Sequence, residues 1–149
     1  LITVKQKLYK LCQDFITARI ADSRQAITVL QADANEETKS SSGDKYETGR
    51  AMMQIEIEKL SSQLSESVKQ KNQLDKVTLD KSDKIQPGSL VVTDQGIFFI
   101  STSIGQFDVD GKLITCISPA SPLAIQLMQR ATGAEVLINK KRFVIQEIW

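Results

Sequence analysis

From Ile2 to Ala34 the chain contains neither glycine nor proline. Over that length Val4, Leu8, Leu11 and Phe15 recur at the 4-3-4 spacing of a helix seam. Ile16, Ile20, Ile27 and Leu30 continue the stripe, displaced slightly around the axis as a local slip in a heptad displaces it. At about 1.5 Å per residue, a run of about 32 residues makes a rod close to 50 Å long. A rod with one apolar stripe cannot bury that stripe on itself, so it requires a partner.

The next periodic stretch supplies one. Between about Tyr46 and Val77 the residues Met53, Ile57, Leu60, Leu64, Val68 and Leu74 follow the same 3-to-4 spacing, and Met52 and Met53 read as seam filler. Glu56, Glu58, Lys59, Lys69, Gln70 and Lys71 form the wet face. Two helices of matched length with a short polar link predict an antiparallel αα-hairpin over 1–77, with its tip at about 35–47. The seam is narrow, as in a two-stranded coiled coil. A monomer is the expected state, although a dimeric four-helix bundle satisfies the same pattern.

The tip reads Ser40, Ser41, Ser42, Gly43, Asp44, Lys45, Tyr46, Glu47, Thr48, Gly49, Arg50. Short polar side chains and glycine favour a turn. Asp44 and Glu47 lie three apart and share a face on a helical first turn. Two readings stand side by side: Asp44 as an N-cap with Glu47 reaching back, or both carboxylates as oxygen ligands for a cation. Arg50 fits a surface pair with Glu47 better than a nucleic-acid contact, and Glu36 and Glu37 read as solvated acids.

Beyond Thr78 the helical period stops. Residues 78–88 are polar and charged and end at Pro87 and Gly88, so they read as a linker. Residues 89–149 read as β-β-β-α-β-β, a small α+β domain. Its strands are expected at 89–93, 97–101, 112–117, 135–138 and 142–148. Ser121 is an N-cap candidate and Pro122 fits the first helical position, with a helix from Leu123 to about Thr132 ending at Gly133. Asn139, Lys140 and Lys141 form a basic turn that reads as solvated.

Composition narrows the chemistry. There is no histidine, which removes the commonest general base and metal ligand. The two cysteines, Cys12 and Cys116, have no C-x-x-C spacing and read as buried thiols in a reducing compartment. A net charge of +1 gives no global field for bulk nucleic-acid binding. No apolar run is long enough to span a bilayer, so no membrane is involved and a cytoplasmic protein is expected.

Two stretches carry a resemblance to a known family. Gly43-Asp44-Lys45-Tyr46-Glu47 resembles the G-D-x-x-E that opens the second coiled-coil helix of the Gre family of bacterial transcript-cleavage factors. Ser121 to Leu127, then Gly133 and the closing Phe143 to Ile148, resembles that family's S-P-L-G-x-x-L…G-D…Y-x-I-x-x-I. The resemblance implies an N-terminal hairpin, an FKBP-like C-terminal domain and a transcription elongation factor whose partner is bacterial RNA polymerase. It further implies that the hairpin enters the secondary channel of the polymerase and meets the nascent RNA 3′ end only indirectly. Asp44 and Glu47 would then act in trans on a Mg²⁺ shared with the polymerase, and no cofactor is held in isolation. On this reading the chain is no enzyme itself but stimulates the polymerase's intrinsic cleavage of backtracked RNA. Lys45, Tyr46 and Arg50 would be tip contacts, and Ser121, Pro122 and Leu123 a polymerase-docking motif. The sequence departs from the pattern at Lys45, at Thr48-Gly49-Arg50-Ala51, and at Ala124 and Ala134. The alternatives are a secondary-channel regulator without cleavage and a protein-interaction module on a coiled-coil stalk.

Overall fold

The computed structural model describes the backbone of residues 1–38 and 43–149, and their side chains outside 37–46. Two long helices lead, α1 (Ile2–Thr38) and α2 (Gly43–Asp75). They are followed by β1 (Leu90–Thr93), β2 (Gly96–Ile100), β3 (Gly105–Val109), β4 (Lys112–Ile117), α3 (Pro122–Leu127), β5 (Glu135–Ile138) and β6 (Lys141–Ile148). The fold class is α+β. None of the described helices is long and apolar enough to cross a membrane.

The chain divides into two compact units, one of Phe15–Lys69 and one combining Leu1–Asp14 with Gln70–Trp149. These boundaries do not follow the division at 77 and 88 that composition suggests. The reason is that the first turns of α1 and the last of α2 belong with the sheet.

In the unit Phe15–Lys69 the remaining lengths of α1 and α2 lie side by side in opposite directions. Gln31, Ala34 and Asn35 line one cleft together with Arg50, Gln54 and Ile57. Ile16, Ile20, Ile57 and Ser67 are buried, and Leu60, Leu64 and Val68 are half-buried. On α1 the buried apolar residues fall at every fourth position, Ile16 and Ile20 in this unit and Val4, Leu8 and Cys12 in the other. Leu11 and Phe15, expected in the seam, are exposed, and the Arg19 guanidinium lies 5.2 Å from the Phe15 ring centroid. Apolar residues occupy two adjacent stripes of α1, and the expected 4-3-4 pattern crossed from one to the other. On α2, Met52 is 67% exposed and does not fill the seam.

The second unit is built on a mixed six-stranded sheet of order β3-β4-β2-β1-β6-β5, in which β2 and β4 run parallel and every other neighbour antiparallel. Its core joins Ile85, Val91, Ile100, Phe143, Ile145 and Ile148 with Ala124 and Leu127 of α3. Each of these side chains larger than alanine contributes roughly 1.5–3 kcal/mol by leaving water. Val4, Leu8 and Cys12 of α1 and Leu74 of α2 are buried in the same unit. Gln73 Oε1 accepts a 2.7 Å hydrogen bond from the Thr102 hydroxyl, and Gln70 Nε2 donates to the Ser103 carbonyl at 3.2 Å.

Strand β3 was not expected from sequence. It pairs with β4 through a two-residue turn in which Asp110 (φ 53°) and Gly111 (φ 81°) both take the left-handed conformation that such hairpins require. Helix α3 stops five residues short of Thr132. Gln129 turns to φ 65° and its N–H donates to the Ile85 carbonyl at 2.8 Å, while Ile85 N–H donates to the Arg130 carbonyl at 2.9 Å. Those bonds replace another helical turn. They also explain why 78–88 is not a free linker, since Ile85 is fully buried.

Candidate functional site

The acid pair belongs to the beginning of α2. The helix opens at Gly43, one residue ahead of Asp44, so Asp44 lies in its first turn. Glu47 follows three residues later on the same helical face. The partial positive charge at a helix N-terminus favours carboxylates there. The Glu47 side chain is exposed. The side chains of Asp44, Lys45 and Tyr46, and residues 39–42, lie outside the described residues.

Behind this first turn the two helices enclose a polar cleft of about 340 Å³ lined by Arg50, Gln54 and Ile57 of α2 and by Gln31, Ala34 and Asn35 of α1. Arg50 is exposed, and among the described residues no ion pair joins it to Glu47. The expected surface pair is absent because Arg50 lines the cleft instead. Among the described residues no group of His, Cys, Asp and Glu is assembled to hold a metal. Glu47 thus offers one exposed carboxylate, an oxygen donor suited to a hard cation but not a complete site.

Ser121, Pro122 and Leu123 open α3. Ser121 Oγ accepts from Ala124 N–H at 3.3 Å and its hydroxyl donates to the Ser118 carbonyl at 2.7 Å. Pro122 stands at the first helical position, exposed, and Leu123 packs half-buried against the core. The motif therefore has a structural use as cap and anchor, and it is in a different unit from Glu47. Lys140 (φ 68°) completes the β5–β6 turn with Asn139 (φ 49°), and both are exposed.

Other features were not visible in the sequence. Lys81 Nζ lies 4.1 Å above the Trp149 ring, and the two line a cleft of about 420 Å³ with Ser82, Asp83, Thr132 and Gln146. Lys5 is fully buried, although its place on an amphipathic helix beside Val4 gave no warning of that. Cys12 and Cys116 touch across 104 positions of sequence. No local pattern could have announced contacts of that separation.

No family model matches the chain, and no curated protein matches it significantly. A solved structure that matches is GreA factor homolog 1 (Gfh1) of Thermus thermophilus, at 14% identity, covering 92% of this chain and 94% of that one, with a TM-score of 0.38.

Proposed function

We propose that this chain is a Gre-like transcription factor that acts on bacterial RNA polymerase in the cytoplasm. On this reading the paired helices enter the secondary channel and bring Asp44 and Glu47 to the active centre. The observation that carries the reading is an exposed carboxylate, Glu47, on the first turn of a 33-residue helix, with Asp44 three residues before it and both within the G-D-x-x-E match. Support also comes from the Ser121-Pro122-Leu123 match at the start of α3, and the α+β unit carrying it is read as FKBP-like.

Mg²⁺ takes oxygen donors and keeps several waters, so two carboxylates are a sufficient share when the polymerase supplies the rest. When bound, the metal would polarise a phosphate oxygen and lower the pKa of an attacking water. Asp44 and Glu47 would contribute charge and orientation there, and the chain's own residues hold no general base of histidine type. It is accordingly read as an accessory factor that stimulates the polymerase. The docking motif, in this account, meets the polymerase surface through the exposed Pro122, while Ser121 and Leu123 keep α3 in place.

The test is RNA cleavage by backtracked elongation complexes, with the wild type beside the Asp44→Asn, Glu47→Gln double variant. The double variant should lose more than about tenfold in cleavage rate while still competing for the polymerase. Cleavage that survives the double change sinks the acid-delivery reading. Binding without cleavage by the wild type itself would establish the regulator reading, which the departure from the family pattern at Lys45 favours.

A further inference from the structure

The chain has two cysteines, and the fold brings them together. Cys12 stands on α1 and Cys116 on β4, with Sγ to Sγ at 3.6 Å and both side chains buried, within one compact unit. A buried residue touches about 6–12 others, so two cysteines placed without preference in a chain of 149 would meet in about one case in fifteen. Cys116 is flanked by Phe99 of β2 and Gly105 of β3 in the sheet register, so its backbone is fixed from both sides. Cys12 is fixed by the fully buried Leu8 and Ile16 on the same face of α1. A disulfide needs a sulfur separation of about 2.05 Å, so the two atoms must close by about 1.5 Å. A change of χ1 and a small shift of α1 can supply that movement.

We infer that Cys12 and Cys116 form a peroxide-sensitive dithiol site, oxidised within one molecule to a disulfide that fastens the start of α1 to β4. The co-reactant is hydrogen peroxide, which meets the two buried sulfurs when α1 opens locally from the sheet. One cysteine sulfur attacks a peroxide oxygen, the O–O bond breaks, and a sulfenic acid and one water result. The second thiol then attacks that sulfur, the S–O bond breaks, and the disulfide and a second water leave. Both sulfurs are oxidised by one electron each and the peroxide is reduced by two.

The reaction is slow in the closed fold. The hydrogen bond between the two sulfurs, then burial, hold the Cys116 thiol well above its usual range, and the nearby Ser101 hydroxyl opposes this only in part. A protonated thiol is a poor nucleophile, so oxidation waits on local opening of α1 from the sheet. Once formed, the bond closes a loop spanning 104 positions, long enough to restrict the unfolded chain strongly.

The full chain, fully reduced, is exposed overnight to hydrogen peroxide, then alkylated in denaturant and mapped by peptide mass spectrometry without reduction. The expected product is a monomer two hydrogens lighter, with a Cys12–Cys116 linked peptide at every protein concentration and reversal by dithiothreitol. Its Tm should rise by roughly 5–15 °C, and that rise should vanish in Cys12→Ser. Sulfinic acid at either position, disulfide-linked dimers, or two thiols still free for alkylation would each overturn the inference. The wild-type peptide map decides the matter even if the variant does not fold.

Discussion

Lys5 carries a buried charge-bearing group in unfavourable surroundings. Its side chain is fully buried, and its Nζ has no hydrogen-bond partner among the described residues. Burial pushes its pKa below the ordinary lysine value of 10.5, and the Asp80 carboxylate pulls weakly the other way. Between the lowered folded value and 10.5 the unfolded chain binds more protons than the folded one, so stability rises with pH across that window. Below the window both states are protonated and the cost is constant. Lys5→Met keeps the stem and removes the amine, and should stabilise the protein by about 1–3 kcal/mol at pH 7. Urea midpoints measured from neutral to alkaline pH should also lose their upward slope. A less stable variant would mean that the amine makes a favourable interaction. Gly88 and Gly105 give a second residue-scale comparison, since both take positive φ, 96° and 100°. A Cβ on Gly88 would lie 1.7 Å from the Thr78 carbonyl oxygen, whereas one on Gly105 meets nothing within 4 Å. Gly88→Ala should therefore cost roughly 3 kcal/mol or more, and Gly105→Ala about 1 kcal/mol, by chemical denaturation. Equal costs would show that backbone conformation alone decides.

At the scale of the element, α1 shows how far periodicity can be trusted. Its apolar residues announced a helix, and the helix is there, but they did not say which of two neighbouring stripes faces inward. Leu8 is fully buried and Leu11 is 41% exposed. Leu8→Ala should cost about 2–4 kcal/mol and Leu11→Ala less than about 1 kcal/mol. The reverse order in thermal or urea unfolding would restore the 4-3-4 seam. Helix α3 offers the opposite case, in which local chemistry was enough to mark the start. Ser121 caps it and Pro122 occupies the first position, as the sequence suggested. Ser121→Ala should lower stability by about 1 kcal/mol. Its end was not legible, because the Ile85 backbone, distant in sequence, takes the hydrogen bonds that another turn would use. Strand β3 escaped notice for a related reason. In Gly105-Gln106-Phe107-Asp108-Val109 only Phe107 and Val109 are apolar, and one face of an edge strand leaves little pattern.

At the scale of the molecule, the α+β class followed from a switch in hydrophobic period near Thr78, which is a property of sequence alone. The division into units did not, because the ends of both long helices join the sheet's unit through contacts such as Lys7 to Asp110 at 2.9 Å. The candidate site was legible only as a motif. Asp44 and Glu47 could be placed on one helical face from their spacing, but the purpose proposed for them lies in a partner, which no intramolecular pattern encodes. The buried Lys5 and the paired sulfurs were invisible for the matching reason that their neighbours are remote in sequence. The claim at the centre is that the start of α2 comes to rest beside the catalytic metal of RNA polymerase. Fe²⁺ exchanged for that Mg²⁺ generates short-lived hydroxyl radicals on addition of reductant and peroxide, and these cut polypeptide only in the immediate vicinity. Mapping the cuts in this chain, bound to the polymerase, is the most direct measurement. Cleavage centred on residues 44–47 and absent from the sheet is the predicted result, and an intact α2 start with cuts elsewhere or nowhere would contradict it.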